Sequence, residues 1–255
     1  MDQNQKSENR RRGIYLLPNL FTTAALFAGF YAIVAAMNDR FEYAAVAVFI
    51  AMLLDGVDGR VARLTNTQSD FGAEYDSLSD MVSFGLAPAL VMYEWSLSSM
   101  VSMGWQWGKL GWLAAFIYTA CAALRLARFN TQVGLADKRY FQGLPSPSAA
   151  AVLMGMVWVM VDAGVKGPDL ILPAFIMTVA VGVLMVSNIF YYSFKEVNFK
   201  GKVPFITILI GVLALSLASI DPPKILFAIF FGYALSGPLL SVFRRLRKIG
   251  RKKPD

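Results

Sequence analysis

The sequence predicts an all-α polytopic membrane protein of about eight transmembrane helices, and three observations carry that prediction. Hydrophobic residues make up 56% of the chain and charged residues only 16%, whereas soluble domains sit nearer a quarter charged. The apolar residues fall in long runs, and a bilayer core asks for roughly 20 apolar residues per helix. The cations are shared very unevenly between the segments that join those runs. From Leu20 onward the runs follow each other closely, which leaves no room for a separate soluble domain.

The elements follow in order. Residues 1–13 form a basic tail containing Arg10, Arg11 and Arg12. No short apolar run with a small-residue cleavage site follows it, so the first helix is expected to be retained. Spans are expected at about 20–38, 43–63, 72–95, 110–128, 147–164, 168–188, 203–220 and 222–243. Asn38-Asp39-Arg40, Gly167-Pro168 and Asp221-Pro222-Pro223 mark tight hairpins between spans. Residues 14–243 therefore read as one transmembrane domain, and 244–255 as a second basic tail.

Placing the N-terminus inside puts twenty of the 24 Lys and Arg residues on the inner side. Only Arg40, Lys109, Lys166 and Lys224 fall outside. That bias obeys the positive-inside rule and places both termini in the cytoplasm. The net charge of +7 is thereby assigned to topology and to anionic lipid, with no nucleic-acid partner expected. A basic, multi-span chain without disulfides fits a bacterial inner (plasma) membrane.

The chain has one cysteine, Cys121, and no histidine. A disulfide framework is excluded. So are the commonest general base and the commonest zinc ligand. Acid–base or metal chemistry must come from carboxylates, Lys, Tyr or water.

Four aspartates supply the material. Asp55 and Asp58 end span two at i, i+3, and Asp76 and Asp80 open span three at i, i+4. Each pair shares a helix face. The two helices are antiparallel neighbours on a short loop, so the pairs can converge near the membrane surface. Intramembrane carboxylates are costly unless paired or functional, and cations or protons must offset their repulsion. Oxygen-only sites suit Mg²⁺, Mn²⁺ or Ca²⁺, and two such ions would fit four carboxylates and clamp a phosphate. Gly59 and Ala62, about a turn from the aspartates, and Gly72, one turn before Asp76, allow either close helix packing or close approach of a ligand. Arg63 supplies a fixed positive charge suited to phosphate oxygens.

The string Asp55-x2-Asp58-Gly59-x2-Ala62-Arg63-x8-Gly72-x3-Asp76-x3-Asp80 resembles the complete signature of the CDP-alcohol phosphotransferases. The resemblance implies a homodimer with a six-helix core, here with two additional C-terminal spans, and a site open to cytoplasm and bilayer. It implies transfer of a phosphatidyl or similar group from a CDP-linked donor to an alcohol, with release of CMP. Asp55, Asp58, Asp76 and Asp80 would hold two divalent cations, Mg²⁺ or Mn²⁺. Asp80 would also take the proton of the acceptor hydroxyl, and the absence of histidine points to a carboxylate for that task as well. Gly59, Ala62, Arg63 and Gly72 would line the CDP-lipid site. Residues 14–243 would then form a single transmembrane catalytic domain.

Three further strings narrow the acceptor. Pro18-Asn19-Leu20-Phe21-Thr22, Leu124-Arg125-Leu126-Ala127-Arg128-Phe129-Asn130 and Phe141-Gln142-Gly143-Leu144-Pro145-Ser146-Pro147 resemble the membrane-integrated phosphatidylserine synthases within the family. This implies CDP-diacylglycerol as donor and L-serine as acceptor. Arg125 and Arg128, at i, i+3, could both meet the serine carboxylate or act as interfacial anchors. Asn19 could cap span one or touch nucleotide, and capping is the safer expectation. Gly143-Leu144-Pro145 reads as a rigid turn, with Pro147 suited to a helix start. Two kinds of alternative stand: another member of the family, accepting glycerol 3-phosphate, which would want more basic residues, or choline or inositol phosphate; and a divalent-cation transporter. A structural scaffold leaves the aspartates unexplained.

Overall fold

A computed structural model describes residues 2–65, 67, 69–131, 140–192 and 220–250, with side chains between Pro18 and Ser241. The helices are α1 (Asp2–Ala36), α2 (Phe41–Leu64), α3 (Asp70–Asp80), α4 (Ala87–Trp95), α5 (Trp105–Thr131), α6 (Ser146–Asp162), α7 (Ile171–Val186) and α8 (Pro222–Gly250). A π-helical segment, Met81–Leu86, joins α3 to α4. Short 3₁₀ turns at Leu97–Met103 and Gly167–Leu170 precede α5 and α7. The strands β1 (Tyr140–Gln142) and β2 (Phe190–Tyr192) pair antiparallel, Phe141 opposite Tyr191.

Six of the eight predicted spans coincide with α1, α2, α5, α6, α7 and α8, and the third is the run from α3 through α4. The remaining one, at 203–220, lies outside the described residues except for Ile220. Among the described residues, four stretches are long and apolar enough to cross a membrane: Pro18–Ala36, Trp105–Thr131, Gly167–Val186 and Pro222–Ser241. The 24-residue α2 is less apolar because its last turns hold Asp55, Asp58, Arg60 and Arg63. The ends differ from expectation. α1 begins at Asp2, so most of the predicted basic tail continues the helix. α8 likewise runs on to Gly250.

Small residues set how closely the helices meet. The seam between α1 and α2 is the most extensive in the bundle. Ala25, Ala28, Ala32, Ala35 and Ala36 of α1 are buried, as are Ala44, Ala45, Ala47, Val48 and Ala51 of α2. In lipid the apolar surroundings give no hydrophobic drive between helices, so dispersion at short range does the work. A Cβ on Gly182 would stand 3.1 Å from the Tyr118 Cα, which fixes the approach of α7 to α5. A Cβ on Gly155 would stand 3.1 Å from the Phe227 Cα, which does the same for α6 and α8. α6 is the central post, buried on all sides from Ala149 to Val157. The periphery is the reverse of a soluble surface, with Phe27 69% and Leu53 72% exposed. Large apolar side chains facing outward all round a bundle suit hydrocarbon rather than water.

The π segment has a readable cause. Pro88 has no N–H, so the carbonyl four residues earlier, that of Phe84, loses its helical donor. The Tyr118 hydroxyl supplies the missing bond, donating to Phe84 O at 2.9 Å. Ser83 donates to Ala25 O at 3.1 Å, and Gly29 lets the two backbones meet there, since a Cβ would fall 2.7 Å from the Ser83 Cα. π segments cluster at functional sites, and this one begins immediately after Asp80.

Candidate active site

The loop between α2 and α3 is short and well capped. Thr65 Oγ1 donates to Val61 O at 2.7 Å, closing α2. Ser69 opens α3 by accepting from the Gly72 N–H at 3.0 Å, a standard N-cap. Three hydrogen bonds then set the rotation of α3. Tyr75 OH meets Thr23 Oγ1 at 2.9 Å. Ser79 Oγ donates to Thr22 O at 3.1 Å. Asn130 Nδ2, at the end of α5, donates to Ser77 Oγ at 3.0 Å.

With α3 so fixed, carboxylate oxygens of Asp55, Asp76 and Asp80 lie within 4.8 Å of one another. Asp58 stands outside that trio. It is buried, and its Oδ2 accepts from Thr22 Oγ1 at 2.7 Å. The same hydroxyl lies 3.2 Å from Pro18 O, and the shorter, charge-assisted bond claims the proton. Asp55 precedes the end of α2 at Leu64 by a helical rise of about 14 Å.

A groove of about 490 Å³ leads from the interhelical loop toward the trio. Asn19, Gly59, Ala62, Arg63 and Gly72, the five positions expected to meet a CDP-lipid, all line it. Asp58 and Asp76 line it too, and Asp55 and Asp80 lie one turn further along their helices. The two readings of Gly59 are now separable. Among the described residues nothing lies within 4 Å of where its Cβ would be, so packing against them does not require the glycine. Its backbone instead faces open groove. At Gly72 a Cβ would come within 3.2 Å of Ser69 Oγ and 3.5 Å of Asn19 Oδ1. Arg63 lies back along its own helix, its Nε donating to Gly59 O at 2.9 Å.

Asn19 does not cap a helix. α1 starts at Asp2, so Asn19 lies well inside it and its side chain lines the groove. The two arginines of α5 part company. Arg128 Nη1 donates to Val186 O at 3.1 Å, satisfying a carbonyl at the end of α7. Arg125 Nη1 donates to Ser146 Oγ at 2.6 Å, and its guanidinium lies within electrostatic reach of Asp80. Gly143 has φ of +80° in the turn before α6, as a rigid turn there demands, and Pro147 sits in the first turn of that helix. Thr22, Thr67, Ser69 and Asp70 also line the groove and were not singled out from the sequence. Ser69 carried a signal, an N-cap type directly before an acidic first turn. Thr22 carried none.

The trio suits a hard divalent cation. Asp80 Oδ1 is buried with no hydrogen-bond partner among the described residues. A buried carboxylate oxygen without a donor, beside two more carboxylates, is strongly unfavourable unless a cation or a proton offsets it. Oxygen ligands alone select ions of the Mg²⁺, Mn²⁺ and Ca²⁺ kind.

An apolar helical bundle holding a carboxylate cluster, reached by a polar groove with an arginine on its wall, defines an integral membrane enzyme for a phosphate-bearing substrate. The family described as CDP-alcohol phosphatidyltransferase matches residues 15–186, and the chain belongs to that family. It is 38% identical over 244 residues to a CDP-diacylglycerol–serine O-phosphatidyltransferase of Helicobacter pylori strain J99, covering 94% of this chain and 96% of the relative. The protein of that name from Methanocaldococcus jannaschii is 34% identical over 190 residues, 74% of this chain and 80% of its own. The one from Mycobacterium tuberculosis strain H37Rv is 40% identical over 162 residues, 60% of this chain and 54% of its own.

Proposed function

We propose that this protein transfers the phosphatidyl group of CDP-diacylglycerol to the hydroxyl of L-serine, giving phosphatidylserine and CMP. The observation that carries the reading is the Asp55–Asp76–Asp80 trio at the inner end of a groove lined by Asn19, Gly59, Ala62, Arg63 and Gly72. The relatives named as serine O-phosphatidyltransferases support the acceptor. A transporter would have no use for that groove.

Asp55, Asp76 and Asp80, with Asp58 alongside, would hold two divalent cations, Mg²⁺ or Mn²⁺. Bound cations would offset the charge of the carboxylates and of the donor pyrophosphate. The open backbone at Gly59 and the positive charge of Arg63 receive the cytidine diphosphate part of the donor. Its acyl chains stay in the bilayer beside the bundle. Asp80 draws the proton from the serine hydroxyl, whose oxygen attacks the phosphorus that carries diacylglycerol, and CMP leaves. The Arg125 guanidinium, facing Asp80 from α5, is placed to pair with the serine carboxylate. Arg128 serves the fold through Val186 O. In this reading the enzyme is a homodimer of the bacterial inner membrane, with both termini and the groove mouth on the cytoplasmic side.

The test is an acceptor panel on purified protein with CDP-diacylglycerol and Mg²⁺ or Mn²⁺, read by mass spectrometry of the lipid product. Phosphatidylserine from L-serine, with no product from glycerol 3-phosphate or inositol phosphate, is the expected result. A product only from a phosphorylated alcohol would keep the family and refute the acceptor.

A further inference from the structure

α8 lies beyond the residues that match the family, 15–186. It nevertheless reaches the acceptor side of the site through a short chain of contacts. Tyr191 OH, on β2, donates to Ala234 O of α8 at 3.0 Å. Tyr233 OH, on α8, donates back to Tyr192 O of β2 at 3.0 Å. The two rings pack at 5.5 Å between centroids. Gly237 makes the seat for Tyr191, since a Cβ there would come 2.5 Å from the Tyr191 Cζ. β2 pairs with β1, and β1 runs directly into the turn that ends at Ser146, the hydroxyl that receives Arg125. That turn is locked as well: Gly143 N–H donates to Ile189 O at 2.8 Å and Leu144 N–H to Leu184 O at 3.0 Å.

Three-residue strands cannot hold a ribbon by themselves, because an isolated hairpin is marginal even at greater length. The reciprocal tyrosine bonds supply the missing anchor. Tyr233 is, besides, close enough to the Arg125 guanidinium for the two to interact electrostatically.

We infer that Tyr233 is a positioning residue for the acceptor site: from α8 it fixes the β1–β2 ribbon and the Arg125 guanidinium in the attitude that receives the serine carboxylate. This rests on the assignment of Arg125 to that carboxylate. α8 is thereby a working part of the serine site, even though the family match stops short of it.

The experiment is steady-state kinetics of Tyr233→Phe, with serine and CDP-diacylglycerol varied separately. The lost hydroxyl is expected to raise the serine KM roughly tenfold, the effect of about one hydrogen bond, with kcat and the donor KM nearly unchanged. Gly237→Ala, which pushes on the Tyr191 ring without touching Tyr233, is expected to raise the serine KM in the same selective way. Ile229→Ala, an exposed position on the outer face of α8, is the control and should leave every constant unchanged. An unchanged serine KM in Tyr233→Phe overturns the inference. So does a parallel loss in kcat and both KM values, which would mark a merely structural role. A wild-type protein that makes no lipid product from serine removes the assignment of the acceptor itself, and this inference with it.

Discussion

At the scale of single residues, the chemistry rests on what surrounds each carboxylate. The i, i+3 and i, i+4 spacings of the four aspartates were legible, because helical periodicity alone puts each pair on one face. Their division of labour was not. It depends on Thr22, whose hydroxyl engages Asp58 while Asp55, Asp76 and Asp80 close on each other. A threonine at the start of an apolar run looks like any other small helix residue. Asn19 was misjudged for a related reason: a cap needs a helix to begin there, and α1 begins at Asp2. Asp80→Asn keeps shape and hydrogen-bonding capacity but removes the base. It is expected to lower turnover by about three orders of magnitude or more while CDP-diacylglycerol binding is largely kept. Single-turnover CMP release and equilibrium binding check both halves. Activity near wild type would refute the base assignment.

At the scale of elements, the helices themselves were visible as apolar runs, and their boundaries as Gly, Pro and Asn-Asp turns. The π segment was hidden, although its cause stands in the sequence as Pro88. What could not be read was the donor that rescues the freed Phe84 carbonyl, since Tyr118 lies on another helix. Tyr118→Phe leaves that buried carbonyl unsatisfied at almost no change in volume. The expected cost is about 1–3 kcal/mol, measurable as a lower unfolding temperature in detergent. An unchanged midpoint would mean that the π segment does not depend on this bond. The β1–β2 ribbon was missed because three-residue strands carry no periodic signal.

At the scale of the whole molecule, composition and the arrangement of Lys and Arg announced a membrane bundle, and the outward-facing Phe27 and Leu53 agree with it. The structure puts Asn38 and Thr131 at opposite ends of the spans, both exposed. Cys121, the only native thiol, is buried. In intact cells a membrane-impermeant maleimide is therefore expected to label Asn38→Cys, and to label Thr131→Cys only after permeabilisation. The reverse pattern would invert the proposed orientation. In the proposed reading Asp55, Asp76 and Asp80 would hold the divalent cation that transfer to serine requires. The most direct test of that reading is CMP release from CDP-diacylglycerol by purified protein with L-serine, before and after chelation, followed by titration with Mg²⁺ or Mn²⁺. The expected result is serine-dependent release that a chelator abolishes and either ion restores. Serine-dependent release that survives complete chelation would contradict it.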